Sequence, residues 1–269
     1  MLVIPSGSFA LVTGASSGIG EAIAERLAAR GVPLILAARS ARKLEALRSD
    51  WMARHGVAVE TVAVDLSEAD GPARLWEATE GAGRPVHLLV NNAGFGLNGA
   101  EAELPLEKTA EMIRLNVGAT AELTHRFLVA MRSRRKGWIL NVASTAAFVP
   151  GPWFGTYSAT KAFVLSFSQA LHEEAKRDGV TVTCLCPGYT RTGFHAVAGM
   201  KSADETPFFP VMSAEAVARA GLAALEKGRP FVVPHLFDRL WIASLRLVPR
   251  SVPPRLAAAF FRRSRLSGT

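Results

Sequence analysis

A doubly wound α/β fold, with one parallel sheet covered by helices on both faces, is predicted by three features of this 269-residue sequence. Short, almost wholly apolar runs alternate with longer segments whose apolar residues recur at helical spacing. Strands buried on both faces by crossover helices read in this way. A glycine-rich loop, Gly14 to Gly20, stands between the first apolar run and the first helical segment. The polar residues of chemical interest fall just after the apolar runs, where open α/β sheets place their ligand crevice.

The elements follow in order. Residues 9–13 form a first strand, and residues 21–30 a helix with Ala22, Ile23 and Leu27 on one side and Gly31 as its stop. Residues 33–38 repeat the buried-strand pattern. The cycle continues with a helix at 43–55, a strand at 57–64, a helix at 73–81 and a strand at 86–91. One long helix is expected over 106–133, then a strand at 137–142, a helix at 155–178 and a strand at 180–186. A helix at 213–227 leads to a last strand at 230–233. No repeat, low-complexity segment or linker interrupts the pattern before about residue 234. Residues 1–234 are therefore read as a single domain and 235–269 as an extension.

Composition narrows the class. Hydrophobic residues make up 49% of the chain, which argues against disorder. No apolar run is long enough to span a bilayer, and Met1 to Ser8 is too short for a signal peptide. Cys184 and Cys186 stand two apart in a strand pattern, facing one way and poorly placed to bond each other. Without histidine neighbours they make no metal site, and reduced thiols fit a cytoplasmic protein.

The post-strand residues define a nucleotide site. In Gly14-Ala15-Ser16-Ser17-Gly18-Ile19-Gly20, glycines let the backbone approach a pyrophosphate that the helix N-terminus favours. The spacing differs from Gly-x-Gly-x-x-Gly, and a structural turn is the competing account. An acid after the second strand would bind an adenosine ribose and repel a 2′-phosphate. This chain has Ala37-Ala38-Arg39-Ser40 instead. The guanidinium fork of Arg39 and the Ser40 hydroxyl suit that phosphate, and Arg42 or Lys43 adds charge. NADP(H) is expected in preference to NAD(H).

Tyr157 and Lys161 stand four residues apart in Tyr157-Ser158-Ala159-Thr160-Lys161, so on a helix they share a face. An ammonium beside a phenol favours ionisation of a group that otherwise titrates near ~10. The same spacing occurs on many solvated helices, and companion motifs decide between the two accounts.

Those companions resemble the short-chain dehydrogenase/reductase family, from about residue 9 to residue 193. Thr13 to Gly20 is similar to the family's cofactor loop, and Asp65, followed by Leu66, to the residue meeting the adenine ring. Asn91-Asn92-Ala93-Gly94 is similar to the segment that steadies the sheet centre beside the cofactor, and is expected to bind it through Asn91, Ala93 and Gly94. Asn116, Ser144, Tyr157 and Lys161 stand in the family's catalytic order, and Pro187-Gly188 with Thr190 and Thr192 resembles the loop holding the nicotinamide carboxamide. The resemblance implies a Rossmann-type oxidoreductase without a metal. Tyr157 would exchange a proton with the substrate oxygen, and Lys161 would lower its pKa and bond the nicotinamide ribose. Ser144 would stabilise charge on that oxygen, and Asn116 would hold a water linking Lys161 to solvent. Outside the resemblance, Asn116 reads as an ordinary polar helix residue and Ser144 as a turn residue.

A mobile lid is expected over 188–212, carrying Tyr189, Phe194, Phe208 and Phe209 among Gly193, Gly199 and Pro207. With Phe95, Phe148, Trp153 and Phe154 these aromatics predict an apolar pocket for a lipophilic carbonyl or alcohol. Steroid-like, fatty-acyl-derived and aromatic compounds all fit, and the aromatics equally fit core or subunit contacts. A nucleotide-sensing protein without turnover is the rival class, but Ser144, Tyr157 and Lys161 are intact.

The tail shifts in composition. Phe237, Leu240, Trp241, Leu245 and Val248 recur at helical spacing, and Pro249, Pro253 and Pro254 break the run. Between Pro234 and Thr269 seven arginines face one acid, Asp238, so the tail holds most of the formal net charge of +8. Such a segment lies on an anionic membrane, packs on a sister subunit, or covers the pocket. Packing is favoured, because tail helices commonly complete a homo-oligomer, here a dimer or tetramer. No nucleic-acid module accompanies the charge. The expected location is cytoplasmic, with membrane association through the tail as the alternative.

Overall fold

The computed structural model describes residues 4–200 and 209–266, the last seven of these as backbone only. Its first elements are β1 (Phe9–Thr13), α1 (Gly18–Ala28), β2 (Leu34–Ala38), α2 (Ala41–His55), β3 (Val59–Ala63), α3 (Gly71–Glu77) and β4 (Val86–Asn91). Then come α4 (Leu106–Ile113), α5 (Thr120–Ser133), β5 (Gly137–Val142), α6 (Gly155–Ala175) and β6 (Val180–Leu185). The chain continues through β7 (Thr190–Arg191), α7 (Phe194–Val197), β8 (Met212–Ser213), α8 (Ala214–Glu226), β9 (Phe231–Val232), α9 (Leu236–Ser244) and α10 (Val252–Leu266).

Seven strands pair in the order β3-β2-β1-β4-β5-β6-β9, and each pair is parallel. Alternation along the strands supplies two cores, because successive side chains point to opposite faces. Ala10, Val12, Leu34, Leu36, Leu88 and Val90 bury against α1, α2 and α8 through Ile23, Leu27, Leu44, Trp51, Val217 and Leu222. Leu11, Ile35, Ala37 and Leu89 face the other way, onto Leu75 of α3 and Leu123, Phe127 and Met131 of α5. Each fully buried leucine or isoleucine contributes about 1.5–3 kcal/mol over its exposed state. Cover on both faces explains why β1 and β2 are almost wholly apolar.

The helix expected over 106–133 is two helices joined by a π-helical stretch, Arg114–Ala119. Wider turns of this kind re-aim side chains at functional sites, and Asn116 lies in this one. The helix expected at 73–81 begins earlier, at Gly71 with Pro72 in its first turn, and yields to a 3-10 turn, Glu80–Ala82. Pro253 and Pro254 do not break the tail; they sit in the first turn of α10, where a missing N–H costs nothing. The small β7–β8 pair was not expected, since two residues are too few to show a period. The middle of the expected lid, residues 201–208 with Pro207 and Phe208, lies outside the described residues. Among the described residues no helix is long and apolar enough to cross a membrane. Cys184 and Cys186 are buried free thiols with their sulfurs 3.7 Å apart.

Candidate active site

Strand order reverses between β1 and β4, and a cavity of ≈ 990 Å³ opens beyond the carboxyl ends there. Its size is at the upper end for ligand pockets. At one end Gly14, Ser16, Ser17, Gly18 and Ile19 line it, at the N-terminus of α1. Gly14 and Gly18 have φ of 63°, a region that costs other residues about 1–2 kcal/mol. Thr13 and Asn92 clamp this loop to β4. The Thr13 hydroxyl donates to Val90 O at 3.2 Å and accepts from Asn92 N and Ala93 N, while Asn92 Nδ2 donates to the carbonyls of Thr13 and Gly14. Gly20 does not line the cavity; a Cβ there would lie 2.4 Å from Asn92 Nδ2 and Gly14 O, so it permits loop and helix to meet.

Arg39, Ser40, Asp65 and Leu66 edge the same end, with Lys43. Ser40 also caps α2, its hydroxyl accepting from Lys43 N at 3.4 Å. Arg39 Nη1 lies 3.8 Å from both Asp65 and Glu111. Burial works to raise the Asp65 carboxyl, but hydrogen bonds from Ser67 and the Arg39 charge together hold it below its ordinary value. Helix N–H groups with a guanidinium and an ammonium fit the phosphates of a dinucleotide. Asn91 steadies the sheet centre, and its side chain does not line the cavity. Its Nδ2 donates to Thr124 Oγ1 and Asn141 Oδ1, both at 2.9 Å, and Asn141 Nδ2 donates on to Ser168 Oγ. That buried ladder ties α5 and α6 to the sheet, because the pleat turns Asn91 away from the cavity that Asn92, Ala93 and Gly94 line.

The reactive groups converge mid-cavity. Ser144 follows β5; its hydroxyl accepts from Ala146 N at 3.1 Å and donates to Pro187 O at 3.5 Å. Tyr157 and Lys161 sit one turn apart on α6, each 6% exposed. Lys161 Nζ donates to Val142 O at 2.9 Å and lies 5.8 Å from the Tyr157 ring centroid. Burial pushes the Tyr157 phenol well above its ordinary value, against the pull of a hydrogen bond with Ser144. Burial also brings the Lys161 ammonium down to about 8, while nearby Cys184 and Cys186 pull it up. Burial therefore sets the direction at Tyr157, and a lowering by Lys161 is not among the causes acting on it. Lys161 keeps its charge below about pH 8 and loses it above.

Asn116 is buried and does not line the cavity. It brackets Phe95, accepting from its N–H at 3.2 Å and donating to its carbonyl at 2.9 Å, and donates to Thr160 Oγ1 at 3.1 Å. A Cβ on Gly94 would lie 2.8 Å from Asn116 Oδ1 and 3.4 Å from Lys161 Nζ, so glycine alone lets these groups approach. Pro187, Gly188, Thr190 and Thr192 line the opposite wall, with Thr190 Oγ1 donating to Gly188 O at 3.0 Å.

Of the expected pocket aromatics, Phe95, Phe154, Tyr189, Phe194 and Phe209 line the cavity. Phe148 and Trp153 do not. Phe148 turns into a third core cluster, its ring 6.1 Å from that of Phe231, since β9 needs that face covered. Trp153 has φ of 62° and offers its carbonyl to Gly99 N.

Three residues escaped the sequence reading. A Cβ on Gly96 would lie 2.9 Å from Phe194, 3.0 Å from Phe154 and 3.1 Å from Tyr157. His195 is buried on the cavity wall with Nδ1 unpartnered, and burial lowers its pKa. Asp238 of α9 lies against the Gly188 loop: a Cβ on Gly188 would come 2.3 Å from Asp238 Oδ2. Burial raises the Asp238 carboxyl, and His235 opposes the shift. Only the isolation of Asp238 among arginines was a signal in the sequence. Gly96→Ala is expected to cut kcat roughly 100-fold, the cost of small misplacements of reacting groups, with a melting temperature near wild type. Unchanged kcat would mean the three rings yield without moving the phenol.

A dinucleotide cradle, a serine, and a tyrosine–lysine pair sharing one crevice define a nicotinamide-dependent oxidoreductase acting on CH–OH or C=O groups. The chain belongs to the short chain dehydrogenase family, whose pattern matches residues 8–202. It is 34% identical over 244 residues to a very-long-chain 3-oxoacyl-CoA reductase of Anas platyrhynchos, covering 89% of this chain and 76% of that one. Across such curated relatives the matches cover between 53% and 76% of the relative's length. Among solved structures it is similar to a short-chain dehydrogenase from Sphingobium yanoikuyae in complex with NADPH. That chain is 33% identical with a TM-score of 0.81, over 89% of this chain and 94% of the other. It is also similar to a short chain dehydrogenase/reductase from Burkholderia phymatum in complex with NAD, at 27% identity and a TM-score of 0.78, over 88% and 92%.

Proposed function

We propose that this protein is an NADP(H)-dependent oxidoreductase that interconverts a carbonyl and a hydroxyl on a fatty-acyl-derived substrate. The observation carrying the reading is the shape and lining of one continuous cavity. It runs from the phosphate-binding loop past Ser144 and Tyr157 to an apolar wall of Phe154, Phe194, Trp241, Leu245 and Leu256. The similarity to very-long-chain 3-oxoacyl-CoA reductases supports an acyl chain as the occupant of that wall.

The nicotinamide, when bound, supplies or accepts the hydride. In reduction Tyr157 donates its phenolic proton to the carbonyl oxygen, and burial keeps that proton in place at neutral pH. Ser144 hydrogen-bonds the same oxygen and stabilises the charge developing there. Lys161, anchored by Val142 O, supplies positive charge beside the phenol once its proton has gone. Asn116 holds Phe95 and the start of the substrate wall in register. Arg39, Ser40 and Lys43 support NADP(H) as the cofactor, because together they offer a 2′-phosphate two charges and a hydroxyl. Exposed Leu106 and Ile113 on α4, Val129 on α5 and Phe163 on α6 support a homo-oligomer.

NADPH consumption is the test, measured over 3-oxoacyl thioesters of increasing chain length and over small soluble ketones, with NADH in parallel. The expected result is kcat/KM rising with chain length, since each buried methylene is worth about 0.8 kcal/mol. Equal rates at every length would remove the acyl reading.

A further inference from the structure

The exposed surface of the tail combines two features that the reaction does not use. Among the described residues twelve large hydrophobics are exposed and six lie in the tail: Leu236, Phe237, Leu240, Leu247, Val248 and Leu256, the last of which also edges the cavity. Leu247 is 86% exposed. Interleaved with them are Arg239, Arg246, Arg250 and Arg255, all exposed. Asp238, the tail's one acid, is buried at 6% exposure against Gly188. Outward, the described tail thus presents apolar side chains and positive charge with no negative charge among them.

The inward side of the same segment belongs to the cavity. Trp241, Leu245, Pro253, Leu256 and Ala257 line it. Ile242 is buried in the cluster that also holds Val164, Leu165 and Val233, so α9 is fixed to the body of the domain. One pair of helices therefore closes an apolar cavity on one side and carries exposed leucines and arginines on the other.

We infer that the outward face of α9 and α10 docks on an anionic lipid surface and sets the mouth of the cavity at the membrane interface. A helix with apolar and arginine-rich exposure gains burial at the headgroup boundary and attraction to anionic lipid together. A second copy of this chain suits the surface poorly. A two-fold interface sets the same patch against itself, which would bring arginines against arginines with no exposed acid to pair them. The docking gives the cavity direct access to substrates dissolved in the bilayer, and for that purpose it rests on the lipophilic-substrate reading. The docking itself is measured without any substrate.

The experiment is co-sedimentation of the full chain with vesicles of phosphatidylcholine alone, and of phosphatidylcholine with phosphatidylglycerol. Binding is expected to the mixed vesicles and to weaken as salt screens the charges. Arg246→Gln with Arg250→Gln should lower the partition coefficient at least about 10-fold, because each basic residue near the surface contributes about fivefold. Leu240→Ser with Leu247→Ser should lower it comparably while keeping the salt dependence. Neither pair lines the cavity, so NADPH-dependent turnover of a small soluble ketone and the melting temperature should stay at wild-type values. Absence of binding to anionic vesicles, equal binding to neutral ones, or variants that bind as wild type would each overturn the docking. So would sedimentation showing that the leucine variant turns a dimer into a monomer, since the face would then belong to a second copy. A failed chain-length series with intact vesicle binding would count against the acyl substrate and not against the docking.

Discussion

Tyr157→Phe is expected to lower turnover by about 10²–10⁴-fold, the usual worth of a positioned acid or base, while NADPH binds nearly as before. The substitution isolates the hydroxyl. The ring is wedged between Phe154 at 4.4 Å and Phe194 at 5.4 Å between centroids, and phenylalanine keeps both contacts. The proton is lost to the reaction while the shape of the wall remains. Steady-state rates and NADPH fluorescence titration on one preparation measure the two effects separately. A phenylalanine variant turning over near the wild-type rate would refute the assignment of Tyr157 as the acid. Weakened cofactor binding in step with the rate would show that the hydroxyl serves binding instead.

Arg39→Ala is expected to weaken NADPH binding about 10–100-fold and to leave NADH binding almost unchanged. A charge-assisted hydrogen bond is worth about 1.5–3 kcal/mol, and a tenfold change in affinity corresponds to about 1.4 kcal/mol. The guanidinium is available for this. Its side chain is 71% exposed, and at 3.8 Å neither Asp65 nor Glu111 makes a hydrogen bond to it. Removing it also leaves the Asp65 carboxylate facing the site, which adds repulsion against a 2′-phosphate. Titrating both cofactors into both proteins tests the idea. Equal losses for NADPH and NADH would dismiss Arg39 as the phosphate reader, and a wild-type preference for NADH would dismiss the reading of the second strand's end.

The alternation of apolar runs and helical segments was sufficient for the sheet, because burial on both faces leaves its strands mostly apolar. Helix ends and the π-helical stretch at Asn116 were not legible. No capping residue or proline marks residues 114–119, and the bulge is held by bonds from Asn116 to Phe95 and Thr160, far away in the chain. Phe148 and Phe154 could not be told apart either. Both are aromatic and lie between β5 and α6, and only the packing of Phe231 sends one into the core and leaves the other in the cavity.

By itself the sequence determined the succession of the seven sheet strands, the glycine loop, and the order of Ser144, Tyr157 and Lys161. Each of these is a short-range pattern, written within a few residues by periodicity or by backbone demand. Tertiary structure alone decided which partners Asn91 takes in the sheet ladder, that Gly96 leaves room for three rings, and that burial raises the Tyr157 phenol. It alone brought Asp238 against Gly188, fifty residues earlier, and made the tail a wall of the cavity. Close approach and desolvation depend on what the fold brings together, and that information belongs to no single stretch of the chain.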